Sequence, residues 1–362
     1  MLQIERKKFI LYIIFIIVFI FFTNNFYTFQ QTLLINQFDG LSYMKIANSS
    51  HKFSEELLPY HHAQRFFLPY LIGSLGNLLK VDNYLIFIIF VYFSIGIIII
   101  LHFLLVFKSK SDFKTAIMIS SLVFLNPYLI RYFISVPTMI NDIFFLMGLY
   151  IFIYGLFKKN YLIYLGVLVT LISRQTGLFV FMACIFYLYN NKMFKSILYI
   201  SLLFVLVFMT SNFYANNSST SGFDFKHLYG LFYSIFSKDL VYTIKWIMLP
   251  LYGFIPILIY SFTRKNIFSK KINLEKIILI FIFLSTIGIG ILAGPDLAGR
   301  NIIRLTVIVL PVISIYLLFY SFPNNNKRNF LIYEKILLIF IFISSFHPVY
   351  SKIKFLELIK IL

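Results

Sequence analysis

Asp39 is the second residue of the segment FDGLSYMKIA and is the carboxylate in this sequence best suited to do chemistry. It lies in a polar stretch, Asn36 to Tyr70, between two apolar runs, Phe9 to Phe22 and Tyr84 to Phe107. Three of the six histidines, His51, His61 and His62, share that stretch with Arg65. A carboxylate at a water–membrane boundary can take the proton of a hydroxyl that attacks an activated carbon. An Asp before GLSYMKIA also reads as a helix N-cap, accepting a backbone N–H of the first turn. The two roles are compatible, because a cap fixes the direction of its carboxylate.

Arginine is the natural partner for an anionic leaving group, since its fork meets phosphate through two hydrogen bonds. Arg174, Arg300 and Arg304 fall at helix ends that the charge pattern assigns to the outer side. An arginine near hydrocarbon is costly, so it either serves function or snorkels to headgroups. Arg300 and Arg304 are four apart and share a helical face, with Asp296 a turn earlier, where it can pair with Arg300. Arg65, permanently charged, precedes the apolar run Phe66 to Leu79. Asn141 and Asp142 stand where a span enters from outside, placed to bond sugar hydroxyls or to cap that helix. Adjacent histidines point to different sides of a helix, so His61 and His62 do not converge on one metal. They read as interfacial side chains with polar tips toward headgroups, or as phosphate contacts.

These residues need a membrane domain to hold them. Sixty per cent of the 362 residues are hydrophobic and 12% are charged, roughly half the charged share of a soluble domain. Apolar runs of the about 20 residues needed to cross a bilayer recur from end to end. The expectation is one all-α domain over 1–362. The net charge of +19 does not indicate nucleic acid, because the Lys and Arg are scattered over short inter-helix loops rather than gathered on one element. Cys184 is the only cysteine, which excludes an intrachain disulfide and a cysteine-based metal site. TNNFYTF follows the first apolar run with no small-residue cleavage site, so that run is read as a span.

Arg6, Lys7 and Lys8 put the N-terminus in the cytoplasm. Spans are then expected over Phe9 to Asn25, Tyr84 to Phe107, Thr115 to Ile130, Thr138 to Phe157, Tyr161 to Ile172 and Thr176 to Tyr189. Further ones cover Ile197 to Thr210, Val241 to Phe262 with kinks at Pro250 and Pro256, Ile277 to Leu292, Ile302 to Phe322, and a last ending near His347. That is a helical bundle of about 11 transmembrane helices, with its C-terminus outside. The segment after Asp39 and the run Phe66 to Leu79, too short to span, are expected as interfacial helices in the first outer loop.

The order of FDGLSYMKIA, RFFLPYL, NPYLIRYFISVPTMINDIFFL and SRQTGLFV resembles the GT-C superfamily of integral-membrane glycosyltransferases, near the mannosyltransferase-like members that use polyprenyl-phosphate sugars. The similarity covers about Phe9 to Tyr189. It implies that the first-loop acid, here Asp39, is catalytic, and that Tyr43 in the Asp-Gly-x-x-Tyr pattern contacts substrate. Many members carry a second acid beside the first, or a Glu after the Arg of the SRQTG-like turn. Here those positions are Gly40 and Gln175, so a divalent metal is unsupported and no cofactor is expected.

The function expected is transfer of a sugar from a polyprenyl-phosphate donor to a glycan or lipid-linked acceptor at the outer face of the cytoplasmic membrane. Asp39 would be the base, with Arg174, Arg300 and Arg65 on the donor phosphate. A phosphate leaving group needs no protonation, so the second carboxylate of a glycosidase is not required. The rivals are a polysaccharide polymerase and a transporter or flippase of lipid-linked saccharide. Transporters tend to show internal repeats and ionisable groups at the bilayer midplane. The sequence shows no repeat, and only His102 falls deep within a span.

Overall fold

The computed structural model describes residues 3–24, 39–54, 56–109, 111–219, 230–233, 235, 240–262, 273–294, 302–320 and 332–346. Among them the chain is helical, and its one β element is an isolated bridge between Leu58 and Ser219. Long apolar stretches with few backbone breakers leave the α-helix as the form that satisfies every N–H and C=O within one segment. Five helices are long and apolar enough to cross a membrane. They are α1 (Gln3–Asn24), α5 (Asn83–Ser109), α8 (Ile140–Lys158), α11 (Phe194–Ser218) and α14 (Leu274–Leu292).

The polar stretch between α1 and α5 holds three short helices, α2 (Asp39–Asn48), α3 (Tyr60–Ala63) and α4 (Phe67–Leu79). The helices α2 and α4 are where two interfacial helices were expected. They meet closely: a Cβ on Gly73 would stand 1.9 Å from the carbonyl oxygen of Ala47. No side chain fits between a helix and a backbone carbonyl at that distance.

Between the long helices lie α6 (Phe113–Phe124), α7 (Ile130–Ser135), α9 (Leu162–Ser173) and α10 (Gly177–Asn190). Then come α12 (Leu240–Tyr252), α13 (Ile255–Phe262), α15 (Ile302–Val307), α16 (Leu310–Tyr320) and α17 (Ile332–Ser344). A helix of 12 residues rises only about 18 Å, well short of the ~30 Å hydrocarbon core. Two of the expected spans divide into two helices each, and the third stops early. The third, Thr115 to Ile130, stops with α6 at Phe124, ahead of Pro127, which cannot continue a helix, and α7 begins only at its last residue. The eighth breaks at 253–254, between Pro250 and Pro256 rather than at either. Pro250 sits inside α12, and Pro256 in the first turn of α13, where its missing N–H costs nothing. The tenth breaks at 308–309, just before Pro311.

The core sits on α8, which is buried along almost its whole length, whereas α11 is almost wholly exposed and rides at the rim. The helices α8 and α9 pack backbone to backbone. A Cβ on Gly166 would meet Phe152 N at 2.4 Å, and one on Gly155 would meet Ile163 N at 2.5 Å. Small residues at such contacts let membrane helices approach where apolar burial gives no driving force of its own. His102 on α5 is fully buried and bonded on both ring nitrogens, to the Tyr150 hydroxyl at 3.0 Å and Ser120 Oγ at 2.9 Å.

Leu58 N donates to Ser218 O at 2.9 Å, tying the first polar loop to the end of α11. Those two segments must therefore lie on one side of any membrane the bundle occupies. That agrees with the relative sidedness expected from the charges.

Candidate active site

Asp39 is the first residue of α2. The 3.6-residue repeat brings Ser42 and Tyr43 onto the face it occupies. The first turn of α2 is pressed against the loop before α8: a Cβ on Gly40 would lie 2.3 Å from Thr138 Oγ1. Glycine is required there for approach rather than for backbone freedom, and the approach aims the Asp39 carboxylate at α3.

Two side chains from α3 and the residues just after it meet that carboxylate. His62 Nε2 lies 3.3 Å from Oδ1, and Arg65 Nη1 lies 3.8 Å from Oδ2. The first distance is at the long end of hydrogen bonding and the second beyond it. Arg65 is thus a neighbouring charge, not a fork clamped on Asp39. Its donors go elsewhere: Nη1 to the Tyr43 hydroxyl at 3.1 Å, and Nε to Gln175 Oε1 at 2.7 Å.

The orientation of Gln175 follows from its partners. Arg65 Nε can only donate and the His61 carbonyl can only accept, so Oε1 faces the first and Nε2 the second, at 3.0 Å. The same Nε2 also donates to Gln64 Oε1 at 3.1 Å, and Gln64 Nε2 donates to Asn212 Oδ1 at 2.8 Å. Tyr60 donates to that oxygen as well, at 3.2 Å. One polar chain thus runs from Arg65 through Gln175 and Gln64 to α11.

Below this layer the site closes on buried groups. Asn141 is fully buried and donates through Nδ2 to the Arg65 carbonyl at 3.1 Å. Asp142 meets Arg174 Nη1 at 3.3 Å, and the Arg174 guanidinium lies 5.6 Å from the Phe145 ring centre. Asn141 and Asp142 therefore face inward, to hold Arg65 and Arg174. The residue before α8 that would cap it is Met139, with no side-chain cap, so neither residue is a capping residue.

Burial pushes the Tyr43 phenol above its ordinary value, with Asp39 and Asp142 adding to the rise and Arg65 opposing it. For Arg65, burial pulls the other way, but Tyr43, Asp39 and Asp142 outweigh it and hold the guanidinium charged. The centre of the site is then a neutral phenol, a fixed cation and the Asp39 carboxylate, whose side chain keeps 17% of its surface exposed.

Asp39, Tyr43, Arg65, Asn141, Asp142 and Arg174, identified from sequence, come together here. Asp296 and Arg300 lie outside the described residues, and of Arg304 only its position in α15 is described. Arg131 is buried at the start of α7 with its guanidinium 5.5 Å from the Phe346 ring centre. His62, Ser42, Gln64 and Gln175 were not picked out as site residues. His62 in particular is turned inward onto Asp39 rather than out to headgroups, with His61 packed edge-on against it at 4.2 Å. A four-residue helix carries no periodicity that would have shown which of the two points in. Among the described residues no three His, Cys, Asp or Glu gather as a metal-holding group. Comparison with family models, curated proteins and solved structures finds no match to this chain.

Proposed function

We propose that this protein is a membrane glycosyltransferase that moves a sugar from a polyprenyl-phosphate donor to a hydroxyl of a glycan or lipid-linked acceptor, at the outer face of the cytoplasmic membrane. The observation that carries the reading is the partly exposed Asp39 carboxylate, set beside a charged Arg65 in a polar layer at one end of an apolar helical bundle. A lipid-linked donor would leave its tail in the bilayer and bring its phosphate to that layer.

In this reading the acceptor O–H gives its proton to Asp39 as its oxygen bonds to the anomeric carbon. The bond from that carbon to the phosphate oxygen breaks, and the electron pair leaves on the polyprenyl phosphate. Arg65 would meet the developing negative charge, with Arg174 and Asp142 as a buried floor and Arg300 a further candidate. Tyr43, kept neutral, can donate to a sugar or phosphate oxygen while it accepts from Arg65. The transport alternative draws less support, because His102, deep within α5, is held by Tyr150 and Ser120 as a packed polar contact.

The test is incubation of the purified protein in vesicles with labelled polyprenyl-phosphate hexoses and glycan acceptors. Wild type is expected to transfer label, and Asp39→Asn to insert normally yet lose turnover by roughly 10²–10⁴-fold. Full activity in Asp39→Asn, or no transfer from any such donor by wild type, would overturn the reading.

A further inference from the structure

His62 is bonded on both sides of its ring, and its partners fix what each nitrogen does. Nδ1 lies 2.9 Å from Ser42 Oγ, and Nε2 lies 3.3 Å from Asp39 Oδ1. An ionised carboxylate can only accept. A neutral imidazole between these partners therefore carries its proton on Nε2, toward Asp39, and accepts the Ser42 hydroxyl on Nδ1. Ser42 itself is buried, and it stands one helical turn after Asp39 on the same face. One short helix thus carries both the carboxylate that sets the tautomer of the ring facing it and the hydroxyl that holds that ring.

We propose that His62 is the positioning residue of Asp39: the carboxylate sets the imidazole in the Nε2–H tautomer, the Ser42 hydroxyl holds the ring through Nδ1, and the held ring keeps Oδ1 of Asp39 in place. The other groups around the ring fit this role. The Tyr43 ring packs 6.0 Å away, His61 packs edge-on, and Arg65 stands on the Oδ2 side of the carboxylate. The carboxylate is gripped from two directions by different kinds of group. The imidazole Nε2 faces one oxygen at 3.3 Å, and the guanidinium gives charge beside the other. A side chain at a helix start would otherwise turn about χ1 and χ2. A base must be held close to productive geometry to abstract a proton at a useful rate. The His62 side chain keeps only 12% of its surface exposed, so packing holds the ring that holds the base.

This inference rests on the glycosyl-transfer reading for its kinetic arm only. In that arm, His62→Gln keeps an N–H close to where Nε2 sits, and His62→Phe keeps the ring shape without a donor. His62→Gln is expected to retain most of the turnover. His62→Phe should lose about 10–100-fold in kcat, the range seen when a partner that orients a reacting ligand is removed, with donor KM unchanged. Equal turnover in His62→Gln and His62→Phe would overturn the assignment. The second arm needs no substrate: ¹⁵N-histidine NMR of the detergent-solubilised protein at alkaline pH, with His62→Gln identifying the resonances. The expected result is a protonated Nε2 and a bare, hydrogen-bonded Nδ1 in wild type, with the Nδ1 resonance displaced in Ser42→Ala by loss of the hydroxyl. A bare Nε2 in wild type would overturn the proposal. A wild type that transfers no sugar counts against glycosyl transfer alone, and the tautomer then decides the role of His62.

Discussion

Arg174 Nη1 lies 3.3 Å from Asp142 Oδ1, and the two side chains are only 4% and 2% exposed. They belong to different helix ends, Asp142 to the first turn of α8 and Arg174 to the residue that closes α9. A buried pair of this kind adds little net stability over an apolar pair, but removing one member leaves a charge stranded. Asp142→Ala or Arg174→Ala should each cost about 3–5 kcal/mol. Replacing both with apolar residues of similar volume should cost much less. Thermal unfolding in detergent of the two single variants and the double variant checks this. Additive losses would show that the pair is not coupled.

At Gly40 an added methyl must displace Thr138 or lift the first turn of α2, carrying Asp39 with it. Gly40→Ala is expected to cost about 1–3 kcal/mol by overpacking and to reduce transfer activity further than that loss of stability explains. Adding Thr138→Ala removes the oxygen in the way, so it should restore part of both. A Gly40→Ala enzyme with wild-type turnover would dissociate the α2–Thr138 contact from the site.

Gln175 is the side chain that points the Arg65 guanidinium. Gln175→Leu leaves Arg65 Nε and the His61 carbonyl without this partner, and a hydrogen bond to a charged group contributes about 1.5–3 kcal/mol. Donor KM should therefore rise by roughly tenfold or more, with Asp39 chemistry intact. Arg65→Lys keeps the charge but not the fork and should raise donor KM in the same direction. Steady-state kinetics on the labelled donor measures both, and unchanged KM in each would remove Arg65 from donor binding.

Tyr43 gives a pH signature. Its phenol value is raised in the folded protein, chiefly by burial, so the folded state holds this proton more tightly than the unfolded chain does. The stability it contributes is fully present below the ordinary phenol value of 10.0 and is lost as pH climbs through the raised value. Tyr43→Phe should flatten that alkaline limb of the stability profile. Denaturation series at neutral and alkaline pH, wild type against Tyr43→Phe, would show equal slopes if the phenol were not responsible.

The Leu58–Ser218 backbone bond places Lys52 and Asn217 on one side, and the bundle puts the loop at Lys159 at the other end of α8 from Asp142. In a Cys184→Ala background, cysteines at 52 and 217 should react with an impermeant reagent from outside. A cysteine at 159 should react only after permeabilisation. Labelling of 159 from outside would invert the orientation and move the proposed chemistry to the cytoplasm.

The sequence by itself determined that the chain is a helical membrane protein, because composition and the length of apolar runs leave the backbone no other way to satisfy its polar groups. It also singled out Asp39, since a carboxylate in a polar stretch between two apolar runs is conspicuous without any fold. Arg65, Tyr43, Asn141, Asp142 and Arg174 were legible as residue types at helix ends, though not their division of labour. The sequence places Asn141 and Asp142 to bond sugar hydroxyls or to cap a helix; in the fold Asn141 bonds the Arg65 carbonyl and Asp142 meets Arg174. Tertiary structure alone decided that His62 rather than His61 faces Asp39, and that Gln175, 110 residues along the chain from Arg65, orients its guanidinium. It also decided where the expected spans divide, because a break near a proline is settled by how the neighbouring helices pack. The reason is common to these cases. Periodicity reports which face of a long helix is apolar, but the partners of a polar side chain on a short helix are chosen by contacts between segments far apart in the chain.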